Sequence, residues 1–226
     1  MQPEIKKEKN KSSVFINHAF ISRFHAARNS EEINLWNVFV KDILPFHFPT
    51  GKDQFLATTF DEILLESKSS PAPVASNKKY QDRITQFNSD LEWLINDANI
   101  RISKIYNDYF KNEDDDDLEI KLLFYADNSP ENNTHEPYYL FYGKKRNGIP
   151  VPKRIYSPTI GLCIKEGGKV IPKPQTHFNE AKLTAIALAV RFACLPKVVE
   201  DGGFMALDDM LISLDMYYPR QAYLTY

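Results

Sequence analysis

Cysteine is nearly missing from this chain of 226 residues: the only two, Cys163 and Cys194, stand far apart inside apolar segments. Free cysteine in such surroundings behaves as a small hydrophobe, which argues against a disulfide framework or a zinc site. A charge excess is missing too, since 28 Lys and Arg meet 30 Asp and Glu for a formal net charge of −2. No global basic field announces nucleic acid, so any such contact has to be local. No stretch approaches the roughly 20 apolar residues of a membrane-spanning helix, and the opening MQPEIKKEKNKSS is too charged for a signal peptide. These absences predict a cytoplasmic protein with no membrane partner. A phosphate-cradling loop, G-x-x-x-x-G-K-[ST], is also lacking. Gly51-Lys52 fails with Phe46 upstream and Asp53 downstream, and Gly168-Lys169 fails with Cys163 and Val170 in those places.

What is present has the length for one large domain, or for a domain with a helical appendage. Residues 1–13 are polar and lysine-rich and predict a flexible lead-in. From Val14 to Leu44, Phe20, Phe24, Ile33, Trp36, Val40 and Ile43 recur at mixed helical spacing until Pro45. That pattern predicts two short helices broken near Arg28-Asn29-Ser30, the second starting at Ser30 with Glu31 and Glu32 at its positive dipole end. Another short helix is expected from Thr59-Phe60-Asp61-Glu62, and the Ser, Pro and Ala of residues 67–76 read as a linker.

Lys79 to Asn112 differs in kind. Ile84, Phe87, Leu91, Leu94, Ala98, Ile102, Ile105 and Tyr109 follow at steps of 3, 4, 3, 4, 4, 3 and 4, one narrow apolar seam along a helix. The seam fits either an amphipathic helix lying on a core or a coiled-coil arm of about four heptads. The acidic run Glu113 to Asp117 after it is a solvated turn, because adjacent carboxylates repel and no spaced ligand set surrounds them. Leu118 to Tyr125 then starts with strand-like alternation, Asn128 to Pro137 reads as a polar loop, and Tyr138–Tyr142 and Thr159–Ile164 predict further strands. Glu166-Gly167-Gly168 followed by Lys169-Val170-Ile171 predicts a hairpin, since glycine accepts the positive φ of tight turns. The expected domains are a helical region over 1–70, a linker and long helix over 71–112, and an α/β lobe of mixed α+β character, with an antiparallel sheet, over 113–226.

The chemistry concentrates in two pieces. His177 to Leu195 holds Asn179 at an N-cap position, then strong helix formers up to Pro196, with Ala181, Ala185, Ala187, Ala189 and Ala193 leaving a small-residue face for close approach. The first turn of such a buried helix offers unpaired N–H groups and a positive dipole end to phosphate oxygens. Second, the apolar run Phe204 to Leu207 ends in Asp208-Asp209, with Ser213-Leu214-Asp215 shortly after. Carboxylates at the carboxyl end of a strand are where α/β nucleotide sites gather magnesium. Either piece alone is ordinary, since most capped buried helices are structural and most strand-end acids are merely solvated. Their order and separation are less so.

Phe178-Asn-Glu-Ala-Lys-Leu-Thr-Ala-Ile-Ala-Leu-Ala resembles the signature segment of coiled-coil ABC-type ATPases in the RecF, RecN and structural-maintenance-of-chromosomes group, some of them tied to DNA repair or anti-phage defence. Leu207 to Asp215 is similar to their Walker B and D-loop. The resemblance is fullest over residues 175–216 and implies ATP and Mg2+ as cofactors, in the C-terminal lobe of an ABC ATPase head behind a long coiled-coil helix. It implies that Asn179, Glu180, Ala181 and Lys182 form the signature that closes on a neighbour's γ-phosphate. Asp208 would hold the magnesium shell, Asp209 would polarise the attacking water, and Ser213 and Asp215 would form the D-loop. The implied partner is a second head, as a homodimer or a complementary N-terminal lobe with the Walker A loop, with DNA as a further partner. The chain departs from the family in lacking that loop and the switch histidine, His177 being placed wrongly for it. Asp209 also stands where most relatives have glutamate, and Tyr217-Tyr-Pro-Arg-Gln is unlike the usual helix start. A truncated or split reading frame, inactive alone, is the expectation these departures carry. A different class of function is a non-enzymatic interaction protein that binds a partner through its long helix, with the acidic strand end a remnant.

Overall fold

The computed structural model describes residues 13–16, 18–26, 33–49, 54–69, 78–124, 141–143, 154–195 and 204–207. Among them the fold is mixed α/β, with six α-helices, a three-stranded antiparallel sheet and two two-stranded pairings. The order is β1 (Ser13–Ile16), α1 (His18–Phe24), α2 (Trp36–Val38), α3 (Leu56–Ser69), α4 (Lys78–Tyr109), β2 (Leu118–Leu123), β3 (Phe141–Gly143), β4 (Arg154–Tyr156), β5 (Gly161–Glu166), β6 (Lys169–Val170), α5 (Pro174–His177), α6 (Glu180–Ala193) and β7 (Phe204–Leu207). One cluster of buried apolar side chains runs from Ile16 to Cys194.

Helix α4 is the axis of the molecule. Its buried positions are Tyr80, Ile84, Phe87, Asn88, Leu91, Leu94, Ile95, Ala98, Ile102 and Tyr106. At about 100° per residue these cover an arc of roughly 120°, the broad stripe of a helix lying on a globular core and wider than a two-residue coiled-coil seam. The expected seam holds as far as Ile102. Beyond it Tyr106, at the edge of the stripe, is buried, while Tyr109, which the same pitch places in line with Leu91, is the last helical residue and is exposed. Helix α3 packs beside α4 as the other arm of a hairpin, where Arg83 reaches Glu66 and Glu62 at 2.7 and 2.9 Å and the Tyr80 hydroxyl donates to the Ile63 carbonyl at 3.0 Å. The predicted start at Thr59 lies inside α3, which begins three residues earlier and takes in part of the expected linker.

The opposite side of α4 does something unusual to strand β2. Asn99, Ser103 and Asn107, spaced one turn apart, bond the backbone of Leu122, Ile120 and Leu118 in turn. Asn99 accepts from the Leu122 N–H at 2.8 Å and donates to its carbonyl at 2.9 Å. The Ser103 hydroxyl accepts from Ile120 N–H at 2.9 Å and donates to its carbonyl at 3.1 Å, and Asn107 serves Leu118 likewise at 2.9 and 3.1 Å. The match follows from geometry, because four helical residues rise about 6.0 Å and two strand residues about 6.6 Å. A helix thereby covers a strand edge that would otherwise present bare donors and acceptors. On its other edge β2 pairs antiparallel with β5, from Leu118↔Glu166 to Leu123↔Gly161.

The predicted hairpin is present, β5 turning into β6 through Gly167 and Gly168 at φ 56° and 77°. Two corrections concern the N-terminal stretch. Ser13, expected in the lead-in, and Val14–Ile16, expected as helix, form strand β1, because they pair in parallel with β7 from Ser13↔Phe204 to Ile16↔Leu207. No local pattern reveals a partner so distant in the chain. Residues 36–46 are not one regular helix either: α2 widens into a π-helical turn, Phe39–Ile43, and tightens into a 3-10 turn, Leu44–Phe46, at Pro45. Strand β4 and the short helix α5 also went unanticipated. The expected break at residues 28–30, the polar loop over 128–137 and most of the 67–76 linker lie outside the described residues.

Candidate functional site

Helix α6 starts as its sequence demands. Asn179 is its N-cap, with extended backbone, and its Oδ1 accepts from the Lys182 N–H at 2.8 Å. From Leu183 to Arg191 every residue is buried, and Ala185, Ala187, Ala189 and Ala193 are wholly so, which lets the helix lie close along α4. Its first turn is the part that meets solvent: Asn179 and Glu180 are exposed, and Ala181 is half-buried.

Lys182 turns inward from that turn. Its ammonium donates to Glu166 Oε1 at 3.0 Å, lies 3.6 Å from Asp115 and sits 4.8 Å from the centre of the Phe178 ring. His177 Nε2 stands 3.4 Å from the other oxygen of Glu166. The Lys182 hydrogen bond, with lesser help from His177, holds the Glu166 carboxyl below the usual carboxylate range against the opposing effect of burial. The end of β5, the middle strand of the sheet, is thereby tied to the first turn of α6 by a charge pair, and the signature-like lysine is committed to two carboxylates.

Of the other site residues expected from sequence, Asp208, Asp209, Ser213 and Asp215 lie outside the described residues. Strand β7, which leads to Asp208, is parallel to β1, so the carboxyl ends of the two strands stand side by side. Among the described residues no group of three or more His, Cys, Asp or Glu could hold a metal ion.

The far end of α6 carries groups that the sequence reading passed over. Arg191 is 0% exposed, and its Nε, Nη1 and Nη2 have no hydrogen-bond partner among the described residues. Its guanidinium lies 5.3 Å from the centre of the Phe46 ring, and burial lowers its pKa to about 10, which still leaves it a cation at neutral pH. The signal was visible: one charge in an otherwise apolar run from Ala185 to Leu195. Beside it His47 donates from Nε2 to the Cys194 carbonyl at 2.5 Å, satisfying one of the orphan acceptors at the end of α6. The Cys194 thiol is wholly buried and pushed up to about 12 by that burial, so it is no nucleophile.

His47 makes the fold pH-sensitive. Burial is the largest influence on it and lowers its pKa, outweighing the Cys194 carbonyl, which acts the other way. A histidine whose folded pKa lies below its unfolded value binds more protons when unfolded. Stability is therefore full above about pH 6.5 and falls as the pH drops from there through the lower folded value. Urea midpoints measured between pH 7.5 and 5 should decline, and His47→Gln, which can still donate to Cys194 but does not titrate, should flatten part of that slope. An unchanged slope in the variant would show that His47 is not the group responsible.

Comparison of the chain with protein-family models, curated proteins and solved structures finds no match. No described helix is long and apolar enough to cross a membrane.

Proposed function

We propose that this chain is the signature-helix and Walker B half of an ABC-type ATPase head of the RecF, RecN and chromosome-maintenance group. It would act on Mg2+-ATP held by a partner that supplies the phosphate loop. What carries the reading is the exposed, asparagine-capped first turn of α6 in a core that also takes in β1, the strand paired with β7, whose sequence continues into Asp208-Asp209. The capping geometry adds a chemical point. Because Asn179 Oδ1 faces the Lys182 N–H, its Nδ2 is the group left to donate outward, so one side chain can cap the helix and still offer a hydrogen bond to a γ-phosphate oxygen. A serine hydroxyl can do both as well, with one proton to offer where the amide has two.

In this reading Asn179, Glu180 and Ala181 meet the partner's nucleotide, and Lys182 orders the turn through Glu166 and Asp115. Asp208 holds the magnesium shell, Asp209 polarises water, and Ser213 and Asp215 reach toward the second head. Coupling to DNA repair or anti-phage defence belongs to the same proposal. The rival reading, a partner bound along the long helix, has less surface to work with: the apolar stripe of α4 faces the molecule's own core, and Trp93, Ile100 and Tyr109 are its exposed large hydrophobics.

The test is complementation. The chain alone should not hydrolyse ATP. Mixed with a protein carrying the missing lobe it should, and Asp208→Ala should lower the rate by about a hundredfold or more, the scale on which loss of one group that stabilises transition-state charge acts. Activity indifferent to that substitution, or none in the mixture, would remove the ATPase reading.

A further inference from the structure

Around α1, the π-helical turn and α6, one guanidinium is forked onto a carboxylate and a second lies over a ring four residues farther along the chain. Arg23, in the last turn of α1, donates from Nε to Asp42 Oδ2 at 2.8 Å and from Nη2 to Oδ1, a fork that occupies both carboxylate oxygens. Arg23 is part-exposed at 27% and Asp42 more covered at 13%. Arg191 of α6 has the opposite situation, wholly buried with three unpartnered nitrogens among the described residues. It stacks on Phe46, four positions after Asp42, and the Asp42 carboxylate is one of the charges acting on it. Helices α1 and α6 are themselves in contact. Asp42 lies on a π-turn, a backbone form that single helices seldom adopt and that often sits at functional positions.

A buried cation without a partner is costly, and a carboxylate nearby that is already taken is the obvious group to relieve it. We propose that Asp42 is an exchangeable carboxylate, docked on Arg23 in the arrangement described and on Arg191 in a second one, and that it latches α1 to α6. The latch has mechanical reach. Strand β7 is paired to β1, β1 runs two residues later into α1, and α1 holds Asp42 through Arg23. Asp42 precedes by four residues the Phe46 ring that Arg191 covers, three turns along α6 from Asn179. The two pieces of the proposed nucleotide face are thus joined through this one carboxylate. That meaning rests on the ATPase reading, whereas the exchange itself does not.

A double-mutant cycle on the full chain, read by urea unfolding without nucleotide, tests the exchange. In the native background Arg23→Gln should change the folded-to-unfolded ratio little, because Asp42 falls back on Arg191. In an Arg191→Met background the same substitution strands a part-buried carboxylate, and the loss should be about tenfold larger. Equal losses in the two backgrounds overturn the proposal. A structure of the Arg23→Gln variant gives a second reading: the Asp42 carboxylate within hydrogen-bond distance of Arg191 is expected, and a carboxylate turned to solvent overturns it. Failure here leaves the ATPase complementation untouched, and failure of complementation leaves this cycle standing.

Discussion

Asn107→Ala is expected to destabilise the protein by about 2–3 kcal/mol, a large share of the roughly 5–15 kcal/mol that holds a domain together. The substitution removes two hydrogen bonds at once, to the N–H and the carbonyl of Leu118, whose side chain is buried. It supplies nothing in their place, and a backbone group left unsatisfied costs more than the net worth of the bond it lost. Ser103→Ala should cost a similar amount through Ile120, and Asn99→Ala through Leu122. Hydrogen exchange distinguishes this mechanism from general loosening. Amides of Leu118, Ile120 and Leu122 should lose protection in the order of the residue removed, while those of Glu119, Lys121 and Leu123, which face β5, should be affected less. Uniform loss across β2 would mean that the ladder does not hold the strand edge. The commensurate spacing adds a second check: Asn107→Asp keeps the acceptor for Leu118 N–H but sets a carboxylate against the Leu118 carbonyl, so it should rescue only part of the loss.

This ladder marks the boundary of what the sequence makes legible. The α4 stripe, the Gly167-Gly168 hairpin, the Asn179 cap and the β7 strand are local signals, each set by spacing or by one residue's backbone preference, and each is where the residues put it. Asn99, Ser103 and Asn107 also follow at four-residue steps, yet beside an apolar stripe they read as the solvent face of a helix. Their purpose depends on β2 folding back over them. Strand β1 is hidden for the same reason, since Ser-Val-Phe-Ile is too short to show alternation and its partner comes near the end of the chain. The candidate site divides likewise. The first turn of α6 was readable, but the turning of Lys182 onto Glu166 and Asp115 was not, because it needs a sheet end and a loop to arrive beside it.

The second large effect has the opposite sign. Arg191→Met should stabilise the protein by about 1–3 kcal/mol, because it replaces a buried cation that is unpaired among the described residues with an apolar chain of similar length. The loss of the Arg191–Phe46 contact offsets part of this, and the methionine sulfur against the same ring restores some of it. For a chain of this size the midpoint temperature should rise by roughly 2–10 °C, with an unchanged urea slope if the folded state keeps its shape. Arg191→Lys separates charge from packing: a buried ammonium can shed its proton where a guanidinium keeps it, so the variant should titrate with stability falling at lower pH. A drop in stability on Arg191→Met would mean that the guanidinium already has an anionic partner in the resting protein, and Asp42 would then have no vacancy to fill. A gain leaves a cation that the fold would be steadier without. Its use must then lie in an arrangement other than the most stable one, which is what a carboxylate exchanging between Arg23 and Arg191 requires.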